Sequence, residues 1–246
     1  MRLRSISKNL KEQNWFAVIL DFLIVVLGVF IGVQMGNLNE HRQDKRDYGA
    51  ALDRFKLEVQ ANLDTLDALN EESGILFKKG SQAFDLLLAC SDSPEDTEIV
   101  NSGLIAISGT YGIRLHRTVL DELTESEKLL AAQSPEIRQR LSEMKYFFDL
   151  SLYEAQFVET IPLEERVQNN PIIGIGEIAN GDVTYAGADF SRKQRKLELK
   201  IPVSEACKND ELIKSFYTWE RWQGVLPTLS NILRKEINET LAILEK

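Results

Sequence analysis

The chain has 246 residues, 43% of them hydrophobic and 27% charged, which fits a folded protein of one or two domains and excludes wholesale disorder. Its net charge of -9 is unevenly placed: Arg2, Arg4, Lys8 and Lys11 against Glu12 and Asp21 give residues 1–36 a net of +2, which leaves -11 on residues 37–246. An acidic body of that kind repels phosphate backbones, and no basic stripe interleaved with aromatics is read in it, so nucleic acid is not an expected partner.

Residues 1–14 read as a basic cytoplasmic tail. From Trp15 to Met35 the run WFAVILDFLIVVLGVFIGVQM is apolar except for Asp21 and Gln34. As a helix it would extend about 30 Å, the thickness of a bilayer's hydrocarbon core. It is too long for the apolar region of a cleaved signal peptide, and MGNLNE is a poor cleavage site. Residues 15–36 are therefore expected to form an uncleaved signal anchor, a single transmembrane helix. The basic tail favours a cytoplasmic N-terminus and a periplasmic body, although Arg42, Lys45 and Arg46 weaken that bias from the other side.

Gly28, Gly32 and Gly36 stand four apart at the end of this run. At 100° per residue, with Asp21 at zero, Asn14 falls near about +20°, Ala17 near -40°, Gly28 near -20°, Gly32 near +20° and Gly36 near +60°. Small and polar residues thus share one stripe. In lipid, helices associate where small residues admit close backbone contact and where polar groups find partners. Asp21 facing lipid at the bilayer centre would cost about 2.5 to 3.5 kcal/mol, less at its shallower depth. The stripe Asn14, Ala17, Asp21, Gly28, Gly32, Gly36 is the expected association face, for a second copy or a partner membrane protein.

The stretch QNWFAVILDFLIVVLGVFIGVQMGNLNEHR resembles the N-terminal signature of a group of single-pass inner-membrane proteins of Gram-negative bacteria, in which an Ile/Val/Leu/Gly anchor ends in a Gln-x-x-Asn-Trp-Asn-Glu-like sequence. Gln34, Asn37, Asn39 and Glu40 match that ending, and Leu38 departs from it where Trp is usual. A weaker likeness lies in TVLDELTESEKLLAAQSPEIRQRL, residues 118–141. The resemblance implies a bacterial membrane protein with a helical body; the group is one of unknown function, so no activity and no catalytic residue follow from it.

Beyond the anchor, residues 37–90 read as an amphipathic stalk and first helices, and 91–246 as the remainder of a helical body. Tyr48, Leu52, Phe55, Val59, Leu63, Leu66 and Leu69 recur at helical spacing, with Gly36 and Gly49 as candidate bends. ILFKKGSQAFDLLLAC reads as a second helical stretch, and SDSPEDTE, residues 91–98, as a loop. EIVNSGLIAIS and HRTVLDELTESEKLLAA read as two helices with a break at GTYG. Ser134 before Pro135 starts a long helix that should stop near Pro162. Residues 169–189, rich in Gly, Asn and Asp, read as a connecting loop that includes GIGEIANG, which lacks the endings of phosphate-binding loops. KLELKIPV, residues 196–203, is the best strand candidate, with Pro202 confining it to an edge. A last helix from about Asp210 to Lys246 is expected to bend at Pro227. The expected fold is mainly α: an N-terminal transmembrane helix followed by a helical-bundle body, with at most a short β element near 183–203.

Little raw material for catalysis is visible. With two histidines, His41 and His116, and neither HExxH nor CxxC, triads and His-rich metal sites are not expected. His116 with Asp121 and Glu122 is the one conceivable polar site, and an exposed salt-bridged face explains it better. Catalytic, cofactor-binding and metal residues are each assigned as none. Cys90 and Cys207 either pair, if the body lies outside the cytoplasm, or remain two reduced buried thiols. The expected function is non-enzymatic: a membrane-anchored scaffold or interaction protein acting by helix association. A periplasmic sensor or ligand-binding protein that signals through a partner is the alternative, and a periplasmic enzyme has the least support.

Overall fold

In the computed structural model, residues 15–109, 112–185 and 188–244 are described, the side chains of 15–21, 182–185, 188–190 and 192 excepted. The protein is mainly α-helical. It divides into two units, Met1–Ala51 and Leu52–Lys246.

Helix α1 spans Trp15–Leu88 and contributes to both units. It runs unbroken through Gly36, Gly49 and Gly74, so the separate stalk and second helical stretch expected from sequence are one element. Its stretch from Phe22 is long and apolar enough to cross a membrane, and none of that apolar window is buried.

In the second unit α1 turns one face inward: Phe55, Val59, Leu66, Phe84 and Leu87 are buried along it, together with Asn62 and Ser73. The helix ends in a double hydrogen-bonded cap, with the Cys90 N–H donating to the Leu87 carbonyl at 3.2 Å and the Ser91 N–H to the Leu86 carbonyl at 3.2 Å. Cys90 takes the left-handed position of this cap, at φ 51°, where glycine is the usual occupant.

Helix α2 follows at Pro94–Ile107. Ser93 caps it, its Oγ accepting from the Asp96 N–H at 3.1 Å, and Pro94 sits in the first turn where no amide hydrogen is needed. Most of the expected 91–98 loop is thus the start of a helix. The expected helix across residues 116–132 is two, α3 (Thr118–Glu125) and α4 (Glu127–Ala132), because Ser126 is extended. Helix α5 runs Pro135–Glu159 from the Ser134 cap, as its spacing predicts, and α6 is Leu163–Gln168.

The two strands are longer than the short element expected: β1 (Ile173–Tyr185) pairs antiparallel with β2 (Ala188–Leu199), Ile173 opposite Leu199 and Tyr185 opposite Ala188, with an irregularity between Ile175 and Ile178. GIGEIANG therefore lies in a strand and not in a loop. Pro202 is outside the sheet, as the residue preceding the short helix α7 (Val203–Ala206). The expected single C-terminal helix is α8 (Asp210–Gln223) and α9 (Val225–Leu244). The break falls at Gly224; Pro227 lies in the first turn of α9, where it disturbs nothing.

Ala83, Phe84, Leu87, Leu104, Leu163, Val167, Val203, Leu212, Phe216 and Trp219 form one core cluster, with Phe84 stacked on Phe216 at 5.6 Å and Phe77 on Trp219 at 5.8 Å. Gly80 makes this packing possible, since a Cβ there would strike the Trp219 ring.

Candidate association surfaces and the disulfide clamp

The expected association stripe is partly visible. Gly28, Gly32 and Gly36 lie in α1 with open space where a Cβ would project, and the surrounding side chains from Phe22 to Leu38 are exposed. Ala17 and Asp21 are helical, but their side chains lie outside the description, and Asn14 lies outside the described residues. The glycines therefore form an uncovered strip on an apolar helix, a surface on which another helix can approach closely.

Cys90 and Cys207 are joined in a disulfide with an S–S distance of 2.08 Å, a Cα–Cα distance of 5.4 Å and a separation of 117 residues. Asp92, two residues on, reinforces the same junction: its carboxylate accepts from the Val203 N–H at 2.9 Å and from the Ser204 hydroxyl at 2.6 Å. The end of α1 is thereby tied to α7, just ahead of α8. Closing a loop of this size constrains the unfolded chain by about 4 to 5 kcal/mol in the loop-entropy model.

His116, Asp121 and Glu122 do not assemble into a site. Asp121 is held by Arg117, whose Nε and Nη2 donate to it at 2.9 Å, and by Lys145; Lys145 also meets Glu125 at 3.2 Å, and Arg117 also meets Asp149. Hydrogen bonds from Arg117 first and then Lys145 hold the Asp121 carboxyl below the usual carboxylate range, against partial burial. Burial works against the Lys145 ammonium, but its bonds to Asp121 and Glu125 outweigh this and raise its pKa. Glu122 pairs with Arg54 at 2.7 Å, and the His116 side chain is exposed. This is a structural brace between α3 and α5. No cluster of His, Cys, Asp and Glu able to hold a metal ion occurs among the described residues.

Two residues of α1 that sequence reasoning passed over organise this region. Asn62 is 1% exposed, and its side-chain amide clamps His116 by donating to the backbone carbonyl at 2.7 Å and accepting from the N–H at 2.8 Å. Glu58 caps α3 from the neighbouring helix, its carboxylate accepting from the Val119 and Leu120 N–H groups at 2.8 and 3.0 Å. Asn62 satisfies both backbone groups of the residue just ahead of the α3 N-cap, and Glu58 satisfies amides that the start of this short helix leaves open. A polar residue interrupting the inward face of an amphipathic helix, as Asn62 does between Val59 and Leu66, is the sequence signal for the first.

A second uncovered surface lies on α5. Its inward face carries Leu141, Met144, Phe148, Ser151, Ala155 and Val158, all buried. On the opposite side Tyr146, Leu150, Tyr153 and Phe157, spaced four, three and four apart, are 62%, 42%, 67% and 46% exposed. Phe157 meets the Trp222 edge at 5.4 Å, which extends the strip toward the end of α8. Spacing alone could have identified this strip, because α5 carries apolar residues on two opposite faces. The β1–β2 hairpin offers a third: Ile173 is buried at its root, whereas Ile175 and Ile178 are 74% and 56% exposed.

Comparison with family models, with curated proteins and with solved structures yields no match. The functional reading therefore rests on this chain's own residues.

Proposed function

We propose that this protein is a single-pass anchor of a Gram-negative inner membrane, related to the group its N-terminal stretch resembles, whose body lies in the periplasm and acts by association with a second copy or a partner membrane protein rather than by catalysis. The observation that carries this reading is the Cys90–Cys207 disulfide in a body that follows an exposed apolar helix. Disulfides persist in oxidising compartments and are rare in the cytosol, so the bond favours the outer side of the membrane for residues 52–246. Arg2, Arg4, Lys8 and Lys11 ahead of the apolar run support the same orientation. Gly28, Gly32 and Gly36, open to approach, support association within the lipid.

Thiol alkylation of intact membranes, followed by electrophoresis with and without reductant, tests the compartment. The expected result is two thiols that react only after reduction; two thiols alkylated without reductant would remove the periplasmic assignment. Crosslinking in native membranes tests the association. Gly32→Ile places a branched side chain on the stripe and should abolish the adduct formed through the membrane helix, whereas undiminished crosslinking through that helix would refute the stripe as a contact surface.

A further inference from the structure

Just past its apolar stretch, α1 sorts its charges by face. Residues 38–47, LNEHRQDKRD, hold Arg42, Lys45 and Arg46 against Glu40, Asp44 and Asp47, a net of zero. With Arg42 at zero on the helical wheel, Lys45 falls near about -60° and Arg46 near about +40°, whereas Asp47, Glu40 and Asp44 fall near about 140°, 160° and -160°. One face is therefore basic and the opposite one acidic. The next acid on the basic face is Asp53, seven residues beyond Arg46 and about 10 Å farther from the apolar run.

The two faces also differ in exposure. Asp44 and Asp47 are half-buried and neither is free, Gln43 for one donating to Asp47 at 2.9 Å. Arg42, Lys45 and Arg46 are exposed, and none of them forms an ion pair among the described residues. Arg46 folds back along the helix, its Nε donating to the Arg42 carbonyl at 3.3 Å. Like charges three and four residues apart on a helix repel one another, and an anion shared between them removes that repulsion.

Position along the helix identifies the anion. Leu38, 54% exposed, is the last large apolar side chain ahead of this segment. Arg42 lies about 6 Å and Arg46 about 12 Å beyond it along the axis, and the headgroup layer of a bilayer is about 5 to 8 Å thick. Helical Cα–Cβ bonds tilt toward the N-terminus, so basic side chains placed after a span lean back toward the lipid, the direction Arg46 takes.

We infer that Arg42, Lys45 and Arg46 form a binding face for the phosphate of an anionic phospholipid headgroup. This rests on the reading of the apolar stretch as a membrane anchor; it holds for either orientation, and with or without association through the glycines. A second copy has less to offer this face, because Asp44 and Asp47 are already engaged and Glu40 alone of the three acids is exposed.

The test takes the full-length chain in neutral detergent and mixes it with equal amounts of phosphatidylglycerol and phosphatidylcholine that share acyl chains. The protein is recaptured, and the lipids retained are quantified by mass spectrometry. The native chain should retain phosphatidylglycerol preferentially. Arg42→Gln should lower the ratio about fivefold at low salt, and Arg42→Gln, Lys45→Gln and Arg46→Gln together should abolish the preference. Lys78→Gln, Lys79→Gln and Lys208→Gln together remove as much charge from exposed sites of the body and should leave the ratio unchanged. Inorganic phosphate at the lipid's concentration should not displace the phosphatidylglycerol, and retention of the Cys90–Cys207 disulfide checks folding in each variant. Flotation of the reconstituted chain with vesicles of phosphatidylcholine alone tests the anchor separately: a chain that does not float is no anchor, and the lipid face fails with it. A chain that floats yet shows no preference, a preference that survives the triple substitution, an equal loss from the body substitutions, or displacement by inorganic phosphate would each overturn the lipid face alone.

Discussion

Two stretches of helix α1 carry similar side chains and meet opposite fates. Between Phe22 and Leu38 every described side chain is exposed, Phe22 and Phe30 included; between Phe55 and Leu87 the apolar residues Phe55, Val59, Leu66, Ala83, Phe84 and Leu87 are buried. Composition does not separate them as cleanly as arrangement does. In the first stretch apolar residues surround the helix, which suits a solvent that is itself apolar; in the second most of them keep to one face, with Lys56 and Asp64 on the others and Leu57 and Ile75 as exposed exceptions. A helix that is apolar all round needs lipid, and one that is apolar on a stripe needs a core.

The largest expected effect comes from truncating the same residue type in each stretch. Phe55→Ala removes a fully buried ring and should lower the unfolding free energy of the body by about 3 to 5 kcal/mol. Phe30→Ala, measured in the same detergent by urea unfolding, should leave that value within about 0.5 kcal/mol. Equal losses would mean that the apolar stretch also packs into the body, and the contrast would collapse.

Glycines give a smaller and sharper version. A Cβ at Gly80 strikes the buried Trp219 ring, whereas one at Gly32 meets nothing within 4 Å. Gly80→Ala should cost about 1 to 3 kcal/mol of overpacking, offset in part by the roughly 1 kcal/mol that alanine contributes to a helix. Gly32→Ala carries no such clash within the chain. Its effect should appear in crosslinking between chains and not in the melting of the body.

The same contrast explains what could be read from sequence. Apolar periodicity over several turns is a strong local signal, and it placed the apolar helix, the inward face beyond Phe55, α5 and the mainly helical class. Ser134–Pro135 announced α5, yet the identical pair Ser93–Pro94 was submerged in the surrounding serines and acids of SDSPEDTE, although it starts α2 by the same chemistry. The hairpin was hidden for a different reason. Gly174 and Gly176 weaken strand propensity, and the room they leave over β1 is taken by the side chains of Glu198 and Lys200, which a Cβ at either glycine would push aside. That arrangement exists only once the strands are paired. Of the candidate surfaces, the glycine positions follow from spacing alone. Asn62 and Glu58 serve backbone groups 54 to 62 residues away, and no local pattern announces a partner at that distance.

Between the two stretches in exposure lies the brace of Arg117, Asp121 and Lys145, whose side chains are 32%, 31% and 23% exposed. Charges this wet are partly screened, so Asp121→Asn should cost only about 1 kcal/mol, the upper range for pairs near a surface. Its pH dependence fixes the source. The carboxyl of Asp121 is held below its ordinary value by Arg117 and Lys145, so the native state binds its proton less readily than the unfolded chain does. The stabilisation is therefore fully present above the unfolded-state pKa of about 4 and is lost as the pH falls through the lower, folded-state value. The difference in unfolding free energy between the native chain and Asp121→Asn should stay constant from about pH 5 to 8 and shrink below about pH 4. Added salt should reduce it as well, because Arg117 and Lys145 reach solvent. A difference that persisted unchanged below pH 3 would assign the loss to packing of the side chain and not to its charge, and the brace would then belong with the buried face of the helices rather than midway between core and solvent.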